Sequence, residues 1–329
     1  MARALALPCL LLCALVLALG GCGGSDEPAD ATPAPRRDAA AAKEIRRNPA
    51  NARTTLTIAS KNFTEQFILG EIYAQALEAG GYRVRKRLDL GSEKVAFRAV
   101  RSGRVDAYPE YTGTSLTTFF GVRTDEIPKD EQQAYDQARA SFAEEGLTAL
   151  PPTPFTDSNA VGMTQARAQE LGIETISDLR GRAGRLTLSG SEECRSRTDC
   201  KLGLERTYGL KFGRFLETEL EDRHRVLTTG RADVSIVFST DGQIAAEDLL
   251  VLEDDKRLFP PYNVSLIVND DAAKRAGADL PRIVERVQQD LSTRVMQELN
   301  SRVDLDREKP AAVARAYLEQ FGYVAPGTG

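Results

Sequence analysis

One short unit occurs twice in this chain. Ser102-Gly103-Arg104-Val105-Asp106 is followed, five residues after its Asp, by Tyr111; Thr229-Gly230-Arg231-Ala232-Asp233 is followed, five residues after its Asp, by Phe238. Each copy reads as a helix end, a glycine turn, a short strand, and then an aromatic with a polar loop, Thr112-Gly113-Thr114 in one case and Ser239-Thr240-Asp241-Gly242 in the other. Glycine serves such a turn because it reaches positive φ without steric cost. The ordinary grammar of αβ turns would also produce a pair like this. The functional reading is two related lobes, each pointing an aromatic from the C-terminal end of a strand. Ligands of open α/β sheets bind beyond those ends, so two such lobes face to face make a cleft with an aromatic on each wall.

The flanking sequence supplies lobes of that kind. Thr55 to Ala59 is a β-prone strand, and a helix capped near Asn62 or Thr64 carries Phe67, Ile68, Ile72, Ala76 and Leu77 on one stripe before Gly80-Gly81 stops it. Tyr82 to Leu90 alternates as a strand, a helix runs from Ser92 to Gly103, and Val105 to Ala107 is the next strand. Strands alternating with helices of this length predict a parallel α/β sheet. Residues 160 to about 254 repeat the style, with strands at Val161–Met163 and Arg185–Ser189 and helices at Ala166–Leu171, from Ser177, and at Leu202–Tyr208. A strand at Val264–Val268 and helices around Pro281–Leu299 and Pro310–Phe321 complete the chain, the first of these with a core face of Val284, Val287, Leu291, Val295 and Leu299.

The beginning of the chain reads as targeting. Arg3 precedes an apolar run from Leu5 to Leu19, too short for a comfortable membrane span and right for a signal peptide over 1–21. Leu19-Gly20-Gly21-Cys22 is similar to a bacterial lipobox, which makes Cys22 the expected lipidation site; an ordinary cleaved signal with an incidental Cys is the alternative. Residues 22–53, rich in Gly, Ala, Pro, Asp and Arg, read as a flexible tether. Cys9 and Cys13 leave with the signal, so Cys194 and Cys200 remain, six residues apart. In an exporting context a local disulfide is expected of them; a metal site would want more than the single His224, and no metal or cofactor is expected. Removing residues 1–21 takes away Arg3 alone, which moves the net charge from −5 to −6. An acidic body argues against a nucleic-acid partner.

Two segments, Ser60-Lys61-Asn62-Phe63-Thr64-Glu65-Gln66 and Tyr108-Pro109-Glu110-Tyr111-Thr112-Gly113-Thr114, together with Ser239-Thr240-Asp241-Gly242 and Phe259-Pro260-Pro261-Tyr262-Asn263, carry a family resemblance. The chain from about Thr55 to Tyr323 resembles the substrate-binding proteins of osmoprotectant ABC importers, which take up glycine betaine, choline, carnitine and proline betaine. The resemblance implies an α/β type II periplasmic-binding fold with a two-segment hinge. Lobe 1 would be 54–156 plus 262–329, and lobe 2 would be 157–261. It implies an extracytoplasmic, lipid-anchored monomer that touches the membrane through its anchor only and works with ABC permease and ATPase subunits. A quaternary ammonium offers no N–H donor, so aromatic faces must hold it. By resemblance Tyr111, Tyr262 and Phe238 fall on cage positions, and Asn159 falls on a fourth where the family often carries Tyr. Lys61, Thr114 and Arg197 fall where a ligand carboxylate would be held, with Arg195 the alternative to Arg197. The Asn159 departure suggests a larger betaine such as ergothioneine. Asp241 is expected to cap a helix and His224 to lie at the surface or a helix end.

Other classes are less well served. No Gly-x-Ser-x-Gly elbow is present and the lone His has no evident partner, so an enzyme is not expected. No phosphate-binding Gly-x-x-x-x-Gly-Lys is present, so the chain does not itself drive transport. A surface sensor using the same fold is the alternative function.

Overall fold

A computed structural model describes residues 43–327. Its core is two five-stranded sheets. The first contains β1 (Thr55–Ala59), β2 (Arg83–Arg87), β3 (Ala107–Tyr111), β4 (Leu147–Ala149) and β10 (Val264–Asn269), in the order β2-β1-β3-β10-β4. The second contains β5 (Asn159–Thr164), β6 (Thr187–Gly190), β7 (Arg214–Glu217), β8 (Val234–Phe238) and β9 (Leu249–Val251), in the order β7-β6-β8-β5-β9.

The two sheets have one topology. In each, three strands run parallel, and a fourth lies antiparallel beside the third with a short antiparallel fifth beyond it. The expectation of an all-parallel sheet is therefore corrected to a mixed one. The antiparallel strand is β10 in the first sheet and β5 in the second, and both enter their sheet straight from an interlobe crossing. The repeated sequence unit does one job in both lobes. Gly103 (φ +70°) and Gly230 (φ +68°) make the same left-handed turn. Asp106 then accepts the Thr57 N–H at 2.7 Å, and Asp233 accepts the Thr187 N–H at 2.9 Å. Each Asp thereby ties the start of the third parallel strand to the first.

Helix Thr64–Ala79 is buried along most of its length because one side covers the first sheet and the other is covered by the C-terminal helices. A second apolar cluster around Phe97, Tyr108, Tyr135 and Phe142 covers the opposite face of that sheet, and the second lobe has its own core around Val161, Leu188, Tyr208 and Val234. The expected helix over 281–299 is two helices, Asp279–Gln288 and Thr293–Asp304. Ser292 divides them by accepting the Val295 N–H at 3.3 Å, an N-cap that restarts the helix. Leu291 and Leu299 remain core residues on either side of the break.

The expected tether ends earlier than Arg53. Ile45 is buried and its N–H bonds the Tyr323 carbonyl at 2.9 Å. Lys43 pairs with Asp290 at 2.7 Å, and Pro49–Arg53 forms a 3-10 turn capped by Asn48. One isoleucine and a handful of polar bonds suffice to seat 43–53 on the first lobe, which the low apolar content concealed. The signal segment, Cys22 and the tether up to residue 42 lie outside the described residues. No helix among the described residues is long and apolar enough to cross a membrane.

The chain crosses between the sheets twice, over 150–158 and 252–263. The crossings pair with each other through an antiparallel bridge of Thr156 with Asn263, and Thr156 Oγ1 accepts the Tyr262 N–H at 2.9 Å.

Candidate functional site

Strand ends of both sheets open on one cavity between the lobes. Its empty space, counted out to the mouth, is about 880 Å³. Lys61, Asn62 and Phe63 enter it from the end of β1 and Tyr111 from the end of β3; Gly190 and Ser191 enter from the end of β6 and Phe238 from the end of β8. All seven residues expected to hold ligand, namely Lys61, Tyr111, Thr114, Asn159, Arg197, Phe238 and Tyr262, line this cavity.

Three rings form the aromatic part. Phe63 lies over Tyr111 with centroids 6.1 Å apart and planes 22° apart, and it meets Phe238 of the other lobe at 5.8 Å. Phe63 was not among the expected residues. Applying the strand-end argument to β1, as to β3 and β8, would have found it. Tyr262 makes no ring contact with this trio among the described residues. It stands at the polar end, where its hydroxyl donates to Asp199 Oδ2 at 2.6 Å and receives the Asn159 amide at 3.2 Å. Asn159 thus braces Tyr262 and the Asp199 loop rather than forming an open cage wall; the same Nδ2 also reaches the Asp199 carbonyl at 3.2 Å. Gly113 permits the approach of Tyr262: a Cβ there would come within 2.8 Å of the Tyr262 ring and 2.9 Å of Pro260 Cγ.

The cavity's cations Lys61 and Arg197 each already hold a carboxylate partner within the protein. Lys61, 4% exposed, pairs with the buried Glu110 at 2.5 Å and lies 4.4 Å from the centre of the Tyr111 ring. Burial pushes the Glu110 carboxyl up, and Lys61 works against that. Arg197 grips Asp199, its Nε 2.7 Å from Oδ1, and approaches Glu93 of the first lobe at 3.8 Å. Burial would raise Asp199, but Arg197 outweighs it and holds the carboxyl below its ordinary range. Arg195 is instead half exposed and pairs with Glu217 outside the cavity. Cys194 and Cys200 are joined, Cα atoms 5.2 Å apart, and close the loop that carries Arg197 and Asp199. Thr114 is buried in the cavity wall on the helix Thr112–Thr118.

One expectation is overturned outright and another in part. Asp241 does not cap the helix Gln243–Ala246, whose first turn receives no side-chain bond. It accepts the Phe238 N–H at 2.8 Å and binds Arg223 and His224. His224 stands at a helix end as expected, immediately before Arg225–Thr228, but it is buried, 2% exposed, with Nε2 2.7 Å from Asp241 Oδ2. Arg223 also lies 4.7 Å from the centre of the Phe238 ring, so one ion-pair cluster fixes this wall of the cavity. Chain spacing gave no sign of it, because Arg223 and Asp241 are brought together only by the fold around β8.

Comparison with known proteins agrees with this geometry. A family profile described as "Substrate binding domain of ABC-type glycine betaine transport system" matches residues 54–320. A glycine-betaine-binding protein of Pseudomonas aeruginosa is 32% identical, covering 83% of this chain and 90% of its own length. The glycine betaine-binding protein YehZ of Escherichia coli K12 is 28% identical over 84% of this chain and 93% of its own. An ergothioneine transport permease/ergothioneine binding protein of Helicobacter pylori is 28% identical over 81% of this chain; the match spans 48% of that longer protein. Among solved structures, one described as a glycine betaine/carnitine/choline ABC transporter superposes with a TM-score of 0.68 at 27% identity, covering 81% of this chain and 99% of the other.

Proposed function

The chain belongs to the family of substrate-binding domains of ABC-type glycine betaine transport systems, and from that premise we propose that its cleft captures a quaternary-ammonium compound and delivers it to an ABC permease. The observation that carries the reading is the convergence of Phe63 and Tyr111 from one lobe with Phe238 from the other on a single cavity. Ring faces attract a cation through their quadrupoles even where it has no proton to donate. At the other end lie Arg197, Asp199, Asn159 and Tyr262, a polar network able to meet a second functional group. That length of polar wall suits a betaine with an added polar portion, such as carnitine or ergothioneine, better than the compact glycine betaine. A ligand carboxylate would share Arg197 with Asp199 and Lys61 with Glu110.

Titration calorimetry with glycine betaine, choline, carnitine and ergothioneine tests the reading. Binding of at least one is expected, with the neutral tert-butyl isostere of choline binding more weakly than choline. No heat with any of them would sink it. The rest of the proposal concerns context. The protein acts outside the cytoplasm, held by a lipid on Cys22, as a monomer, with permease and ATPase subunits as partners and without catalytic activity of its own. Its ligand-contacting residues are Lys61, Tyr111, Thr114, Asn159, Arg197, Phe238 and Tyr262, to which we add Phe63. Metabolic labelling with a fatty acid, lost in Cys22→Ser, tests the anchor.

A further inference from the structure

The reading above leaves Asp157 unused. This residue stands on the first interlobe crossing, 5% exposed, in the cavity wall it shares with Tyr111 and Phe238. Its Oδ1 accepts the Thr240 hydroxyl at 2.8 Å, and among the described residues it forms no ion pair. The groups that face it come from every surrounding element. Helix Thr64–Ala79 presents Glu65 and the end of β3 presents Tyr111. The turn after β8 presents Asp241, and the segment before the helix Arg225–Thr228 presents Arg223, while His224 bonds Asp241. The Arg223 guanidinium is itself engaged by Asp241. Glu65 has only neutral donors, the Tyr111 hydroxyl at 2.8 Å and the Asn300 amide at 3.0 Å. Two buried acids without a cation of their own, Asp157 in the cavity wall and Glu65 bonded to the Tyr111 hydroxyl, therefore stand beside the place where a cationic ligand is to sit.

We infer that Asp157 carries a proton in the empty cleft and releases it when a fixed positive charge enters the aromatic cage, so that binding exchanges one proton for one quaternary ammonium; this rests on the quaternary-ammonium reading above. An ionised carboxylate without a partner is too costly to keep in a dry wall, and the group neutralises itself instead. Burial, then the neighbouring Glu65 and Asp241, push Asp157 well above the usual carboxylate range. A quaternary ammonium brings the missing countercharge and cannot lose it. The Asp157 O–H bond then breaks, the proton passes to solvent, and the carboxylate faces the ligand. With choline the charge of the cleft is the same before and after; with a zwitterion such as glycine betaine the cleft ends one unit more negative. A neutral isostere cannot expel the proton, which makes Asp157 a specificity-determining residue.

The sign follows from competition. Protons and ligand exclude each other, so affinity rises with pH, by up to about tenfold per pH unit where exchange is complete. It levels off once Asp157 is already ionised in the empty cleft. Choline and glycine betaine are the probes, because neither titrates near neutral pH. Calorimetry in phosphate and in Tris, whose ionisation heats differ greatly, reads the released proton directly. The expected result is a buffer-dependent heat corresponding to about one proton released, abolished together with the pH dependence in Asp157→Asn. Clear binding with a buffer-independent heat, or proton uptake, overturns the inference and leaves the transport reading standing. Absence of binding by every quaternary-ammonium compound overturns both. Release that survives Asp157→Asn but vanishes in Glu65→Gln overturns the assignment to Asp157. Should Asp157→Asn not fold, infrared difference spectra of the unaltered protein read the same event: the carboxylic-acid carbonyl band must disappear on ligand addition, and its persistence overturns the inference.

Discussion

Tyr111 divides its side chain between two tasks. Its ring faces the cavity and stacks near Phe63, while its hydroxyl donates to Glu65, so two substitutions separate the tasks. Tyr111→Ala removes the ring and should weaken ligand binding by about 1–2 kcal/mol or more, the scale of a desolvated cation–π contact, as measured by calorimetry. Tyr111→Phe keeps the ring but takes a donor from buried Glu65. It should cost about 1–3 kcal/mol of stability in denaturant melts with a smaller loss of affinity. An unchanged dissociation constant in Tyr111→Ala would remove the residue from the site. Gly113 is tested by the opposite operation. A methyl group there meets the Tyr262 ring at 2.8 Å and the Pro261 carbonyl at 2.9 Å. Gly113→Ala should therefore destabilise by about 1–3 kcal/mol through overpacking and weaken binding by displacing Tyr262.

Among the elements, the loop 194–200 and the cluster around Asp241 set the two walls of the second lobe. The disulfide closes only a short loop, so Cys194→Ser with Cys200→Ser should lower stability by about 2 kcal/mol while loosening Arg197 and Asp199. A modest drop in melting temperature with a clear loss of affinity is the expected pair of results; a loss of stability alone would count against a role in presenting Arg197. For Asp241, burial by itself would raise the carboxyl, but Arg223 and His224 prevail and hold it far below its ordinary range. A carboxyl depressed in the folded state stabilises above its unfolded value, near 4, and loses that contribution as pH falls further. Arg223→Met leaves the carboxylate buried with His224 alone and should cost about 3–5 kcal/mol at pH 7. The deficit should shrink as pH falls below about 4, because the variant's unpaired carboxylate can then take up a proton while that of the unaltered protein stays ionised in the folded state; melts at pH 7 and pH 3.5 compare the two. Little of this cluster was legible in the sequence. Thr55–Ala59 as a strand, the glycine stops and the paired turn units follow from local chemistry that each segment carries within itself. The partners of Lys61, Asp241 and His224 are chosen by packing between separate segments, and a buried His looks no different from a surface one in a charge-rich stretch.

At the scale of the whole molecule, the repeated unit was the strongest sign of architecture, because its Gly and Asp do the same mechanical work in both lobes. What it did not reveal was the exchange of direction at β5 and β10, since hydrogen-bond partners many elements away along the chain leave no local trace. The lobes touch across the cleft mouth through Arg197 with Glu93 at 3.8 Å and through the hydroxyls of Thr124 and Thr198 at 2.6 Å. If the paired crossings act as a hinge, saturating ligand should lower the radius of gyration in X-ray scattering, and Glu93→Gln combined with Thr198→Val should reduce the change; an identical curve with and without ligand would mean the halves do not move.

The place of β10 also governs how the chain can be built. It lies between β3 and β4, so β4 has no strand neighbour until residues 264–269 arrive. The second sheet, by contrast, is drawn entirely from 159–251. On a nascent polypeptide the later-made half can therefore mature first, while the earlier-made half waits with an open seam. The strand that closes that seam follows directly on Tyr262, so the last strand to dock also delivers the final ring to the pocket, and a chain released early would have neither.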